Sequence, residues 1–66
     1  MAVYKKVEIV GTSKTSFAEA VKAAVAEAGK SIRHMSWFEV VEQRGAIKDG
    51  KVLEFQVTVR IGFKVE

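Results

Sequence analysis

The sequence predicts an α+β domain of order β-α-β-β. Three observations carry this. The chain opens on a stretch rich in Val, Ile and Tyr, continues into an alanine-rich segment of helical period, and closes on a strictly alternating run behind an Asp-Gly pair. Its 66 residues allow one domain, expected to span 1–66.

The first strand is expected over Val3 to Val10, where Val7 and Ile9 alternate with Lys6 and Glu8. Gly11-Thr12-Ser13-Lys14-Thr15 reads as the turn that follows. Ser16 stands three residues before Glu19, the spacing of a capping box. Phe17, Val21, Ala24, Val25 and Ala28 then form one helical stripe, with Glu19, Lys22 and Glu27 off it. Alanine between 18 and 28 favours helix and lets a neighbour approach closely. Gly29 suits the position after a helix, and Lys30 suits its C-terminal end, so the helix runs from Phe17 to Ala28.

The second strand is expected over Ile32 to Ala46. Phe38 and Val40 share one parity and so one face, the helix side. Trp37 falls on the other with Met35, Glu39, Val41 and Gln43. A bulge near Glu42 to Arg44 would move Arg44 to the opposite face. Asp49-Gly50 marks a tight hairpin. From Leu53 onward, Leu53, Phe55, Val57, Val59, Ile61, Phe63 and Val65 point one way, and Glu54, Gln56, Thr58, Arg60, Gly62, Lys64 and Glu66 the other.

Lengths add a prediction. A helix of about 12 residues is about 18 Å long, whereas a strand of about 14 residues is about 46 Å long. The helix is expected to cover the end of the hairpin nearest its own C-terminus, with Phe38, Val40, Val59, Ile61 and Phe63. Leu53, Phe55 and Val57 are expected to stay bare, an apolar patch that calls for self-association unless the sheet curls strongly.

Composition sets limits on function. Apolar residues make up 48% and charged ones 29%, a globular balance. Without Cys, disulfides and thiolate metal sites are excluded, and a domain this small needs other reinforcement, such as oligomerisation. No apolar run approaches the roughly 20 residues of a membrane span, and the N-terminus lacks an export-signal layout, so a cytoplasmic protein without a membrane partner is expected. The net charge of +3 is too mild to indicate nucleic acid.

Catalytic arrangements fail. There is no Cys–His pair, no Gly-x-Ser-x-Gly elbow to serve His34, and no paired carboxylate site. Gly11 to Thr15 lacks the spacing of a phosphate loop. What remains is the single Trp37, either a subunit contact or a stacking platform for a flat ring. Gln56, either solvated or bonded to a heterocycle edge, is the second candidate. Lys5, Lys6, Arg33, Arg44, Arg60 and Lys64 are dispersed cations that assembly could cluster around phosphate.

Taken in order, these residues resemble a known family. Val3-Tyr4-Lys5-Lys6-Val7-Glu8, Val10-Gly11-Thr12-Ser13, the alanine-rich helix, Trp37-Phe38-Glu39-Val40, Phe55-Gln56-Val57 and Val59-Arg60-Ile61-Gly62-Phe63-Lys64-Val65 are similar nearly end to end to the dodecins, small flavin-binding proteins. The resemblance implies a three-stranded antiparallel sheet wrapped partly around one helix, and a hollow homododecamer of cubic symmetry. It implies that Trp37 stacks on flavin across a symmetry axis and that Gln56 bonds the pyrimidine side of the ring. Arg44 would receive the flavin phosphate, as in bacterial-type members. Lys64 stands where the family often has Arg, and lysine lacks the bidentate fork. Lys5 is a further candidate for the phosphate. FMN is the implied cofactor, with riboflavin or FAD as alternatives and coenzyme A as a further ligand of some members. The implied function is flavin storage with quenched photochemistry rather than turnover. The competing readings are a small nucleic-acid-binding module with a basic, aromatic sheet face and a purely structural oligomer.

Overall fold

The computed structural model describes residues 1–65, and the side expected for Glu66 lies outside the described residues. Strand β1 (Tyr4–Ser13) leads to helix α1 (Phe17–Ala28), and strands β2 (Met35–Lys48) and β3 (Lys51–Lys64) complete the chain. The sheet order is β1-β3-β2, and both pairings are antiparallel. The last strand in sequence is therefore the central one, and the sheet wraps partly around the helix.

Helix α1 has the expected bounds. The Ser16 hydroxyl accepts the Glu19 N–H at 3.0 Å, which satisfies one of the N–H groups left over at the helix start. The buried stripe is Ala20, Ala24 and Ala28, with Phe17, Val21 and Val25 half-buried beside it. These alanines sit on Val57, Val59 and Ile61 of β3, all buried, and on Val7 and Ile9 of β1. Each of the three β3 side chains contributes about 1.5–3 kcal/mol by leaving water.

The structure corrects the expected turn after Val10. Gly11, Thr12 and Ser13 stay in β1 and pair with Val57, Gln56 and Phe55. A Cβ at Gly11 would overlap the Ala20 carbonyl oxygen and crowd the Ala24 methyl, so Gly11 is where the helix meets the sheet backbone. Gly29 is corrected as well. Its φ of −63° is ordinary helical backbone, and the left-handed residue before β2 is His34, with φ 63°. Ile32 is not yet strand. Its N–H bonds the Ala28 carbonyl at 2.9 Å, and its side chain packs on the core. At the hairpin, Asp49 (φ 53°) and Gly50 (φ 73°) are both left-handed, the turn that matches strand twist.

The bare surface lies elsewhere than expected. Val57 is fully buried, and the Phe55 ring meets Phe17 edge-on at 5.0 Å. Phe38 and Val40, expected under the helix, are 49% and 46% exposed. The reason is width rather than length. A helix about 10 Å across spans about two strands spaced 4.8 Å apart, and α1 sits over β1 and β3. Strand β2 lies beyond its reach, and Leu53, Val52 and Ile47 at the tip stay exposed as well.

Three register shifts decide which face each residue occupies. Ser36 is an extra residue between Met35, opposite Phe63, and Trp37, opposite Gly62. Met35 thereby joins the core side, not the Trp37 side as simple alternation predicts. Val41 is a second extra residue, so Gln43 pairs with Val57 on the helix face and Arg44 pairs with Gln56 on the outer face. The bulge expected near Glu42 to Arg44 falls at Val41, just before that stretch, and moves Arg44 to the side of Trp37.

Candidate functional site

The outer face of the sheet carries the site candidates in two clusters. The first is built around Trp37. Its indole lies over Gly62 on β3, where any Cβ would collide with the six-membered ring. Tyr4 on β1 stands beside it, ring centroids 5.3 Å apart and tilted 56°. Trp37 remains 39% exposed. The ring thus has a floor and one wall, and an accessible surface that a flat ligand can use.

Next to Trp37 on this face stands Glu39. Its carboxylate accepts from Lys6 Nζ at 2.7 Å. The Lys6 hydrogen bond holds the Glu39 carboxyl below its usual range against a smaller desolvation effect, with the charges of Lys6 and Arg60 and the Trp37 indole N–H assisting. Arg60 in turn donates to Glu8 at 2.9 Å. Lys6 and Arg60, counted as dispersed cations from sequence, are therefore neutralised in place.

The second cluster is a relay. Arg44 Nε donates to Gln56 Oε1 at 2.6 Å, and Gln56 Nε2 donates to Glu54 Oε2 at 2.7 Å. Gln56 is half-buried. The Val41 bulge is what brings Arg44 here.

The structure does not bring all five predicted residues together. Gln56 and the Trp37 partner Gly62 are six positions apart on β3, about 20 Å at about 3.3 Å per residue. That exceeds a tricyclic ring. Lys64 lies further along β3, opposite Tyr4. Lys5 pairs with Phe63, on the helix side of the sheet. Lys5 and Lys64 share a shallow cleft with Arg33, His34 and Phe63, and Lys64, opposite Tyr4 and two positions from Gly62, also borders the Trp37 cluster. Within one chain, Arg44 meets Gln56, Lys5 and Lys64 line one cleft, and Lys64 faces Tyr4, the neighbour of Trp37.

Sequence reasoning missed Gly62, Tyr4, Glu39 and Glu54. Gly62 had a readable signal, since an isolated glycine in an alternating strand marks close approach by another group. The other three depend on register and on side-chain reach. Among the described residues no group of three or more His, Asp or Glu stands ready for a metal ion. No helix among them is long and apolar enough to cross a membrane.

Known proteins share this sequence pattern and this fold. The chain is 52% identical over 64 residues to the dodecin of Thermus thermophilus, covering 97% of this chain and 93% of that protein. A crystal structure of a protein from the same organism superposes with a TM-score of 0.94 at 50% identity, covering all of this chain and 97% of that one. A calcium dodecin of Mycobacterium tuberculosis is 32% identical over 65 residues, covering 98% of this chain and 92% of that protein. The dodecin family model matches residues 3–66, and the chain belongs to the dodecin family.

Proposed function

We propose that this chain is a cytoplasmic flavin store that assembles as a homododecamer and stacks FMN against Trp37. The observation that carries the reading is the Trp37 indole, braced on Gly62 and Tyr4 yet still exposed, with Gln56 too far away in the same chain to share one ring. Such a site is completed only by another copy. Around a twofold axis one indole becomes a facing pair, and two flavins fit between them in offset stacking. Gln56 then reads the pyrimidine edge from a neighbouring chain. Arg44 suits the phosphate, since a guanidinium offers five donors and Gln56 engages only Nε. Lys64 and Lys5, in their cleft, add charge without the fork. Riboflavin and FAD share the ring, and coenzyme A stays a further ligand of the family. The reading is of a binder that quenches flavin rather than an enzyme, an indole being able to give an electron to an excited flavin.

The nucleic-acid alternative loses support because Lys6 and Arg60, the cations flanking Trp37, are held by Glu39 and Glu8. FMN titration with flavin emission as readout tests the proposal. One-to-one quenching, lost in Trp37→Ala, is expected. Absence of quenching by FMN, riboflavin and FAD alike would leave Trp37 as a subunit contact only.

A further inference from the structure

A glutamine side chain is nearly symmetric in shape. Its oxygen and nitrogen occupy similar space, and rotation by half a turn exchanges an acceptor for a donor. A site that reads a heterocycle through one glutamine therefore needs something to prevent that exchange. Around Gln56 the relay supplies it. Arg44 Nε can only donate, and it takes Oε1 at 2.6 Å. The ionised Glu54 carboxylate can only accept, and it takes one Nε2 hydrogen at 2.7 Å. The reversed amide would set N–H against the guanidinium and C=O against the carboxylate.

We infer that Glu54 is a positioning residue that, acting through Gln56, makes the site selective for a cyclic imide edge. The inference rests on the flavin reading above. With one lone pair and one N–H committed, Gln56 keeps one acceptor site on Oε1 and one N–H on Nε2. That remainder matches an imide, whose N–H donates to Oε1 and whose adjacent carbonyl accepts from Nε2. Flavin carries this edge at N3–H and a neighbouring carbonyl. Glu54 and Arg44 do not have equal weight in the bound state. Arg44 is the residue suited to a flavin phosphate, and when it turns to that phosphate Glu54 still holds the amide. Both Glu54 and Gln56 lie on the outer face of β3 two positions apart, so the rigid central strand fixes their spacing.

The test compares FMN with its N3-methyl derivative, which has the same ring and phosphate but no imide N–H. The wild type is expected to prefer FMN on the order of 100-fold, the scale of leaving one desolvated hydrogen-bonding group without its partner. In Glu54→Ala the preference should fall about tenfold, the scale of one hydrogen bond to a charged group. A merely structural role would weaken both ligands alike, and an unchanged preference ratio overturns the inference. The free protein gives a second readout. The chain has two glutamines and no asparagine, so the side-chain amide protons of Gln56 can be assigned by NMR against Gln43. One Gln56 proton should stand well downfield in the wild type and return toward that of Gln43 in Glu54→Ala; amide signals that do not move overturn the lock. If the wild type quenches neither ligand, the flavin reading itself falls and the inference with it, a result distinct from an unchanged ratio.

Discussion

Strands β1 and β2 flank the same central strand and carry comparable apolar side chains, yet they end up in opposite circumstances. Val7 and Ile9 of β1 pack under the helix, whereas Phe38, Val40, Val41 and Ile47 of β2 stay exposed. Among the described residues every fully buried side chain belongs to α1 or β3. One half of the sheet completes its core within the chain. The other offers apolar surface that none of the described elements covers, the pattern of a surface meant for a partner. Two strands of similar hydrophobicity therefore do different work, and the difference is set by the reach of one helix rather than by composition.

Breaking the covered half should have the largest effect. Gly11→Val drives two methyl groups and a Cβ into the Ala20 carbonyl and the Ala24 methyl. Overpacking of this kind costs about 1–3 kcal/mol when side chains can yield, and more where backbone blocks the way. A domain this small holds only about 3–5 kcal/mol in a single core. Loss of the cooperative thermal transition, followed by circular dichroism, is the expected outcome. Ile61→Ala should cost about 2–5 kcal/mol and lower the melting temperature. Phe38→Asp, on the bare half, should leave the spectrum of the protomer unchanged and reduce the assembled mass measured by light scattering. An unchanged mass would show that β2 is not a subunit contact and would remove the meaning assigned to its exposure.

The fold was legible because its signals are local. The Ser16 cap, the helix bounds and the Asp49-Gly50 turn each depend on neighbours a few residues away, and each appears where expected apart from the φ of Gly29, while the buried helix stripe turns from Phe17, Val21 and Val25 toward Ala20, Ala24 and Ala28. The faces of β2 were less legible. One extra residue at Ser36 and another at Val41 reassign Met35, Gln43 and Arg44, and a single-residue shift leaves no trace in an alternating pattern. The exposure of Phe38 follows from strand order, which places β3 between β1 and β2 and is not written in any segment. The expected residues Trp37 and Gln56 came from resemblance and chemistry, whereas Gly62 and Glu54 needed the cross-strand register and the hydrogen bonds.

Gly62 sharpens the comparison on the outer face, since here β2 does obtain cover from β3. Gly62→Val should lift the Trp37 ring from its seat. Flavin quenching is expected to fall at least tenfold in affinity, about the loss of 1.4 kcal/mol in binding, with the sheet intact by circular dichroism. Retention of wild-type quenching would mean that the position of the indole over Gly62 does not matter to the ligand.

The smallest effect belongs to Glu39, the contact that ties the edge of β2 to β1 across the central strand. Lys6 bonding, first among its causes, places the folded-state pKa below the usual 4.5. A depressed carboxyl contributes stability that is present above the unfolded pKa and is lost as pH falls through the folded one. The melting temperature of the wild type should therefore exceed that of Glu39→Gln at neutral pH, and the gap should close as the pH drops below about 4.5. Because Lys6 and Glu39 are both substantially solvent-exposed, added salt should narrow the same gap at neutral pH. A gap that is insensitive to both would mean that the pair does not hold the two outer strands in register, and that their alignment rests on the β3 hydrogen bonds alone.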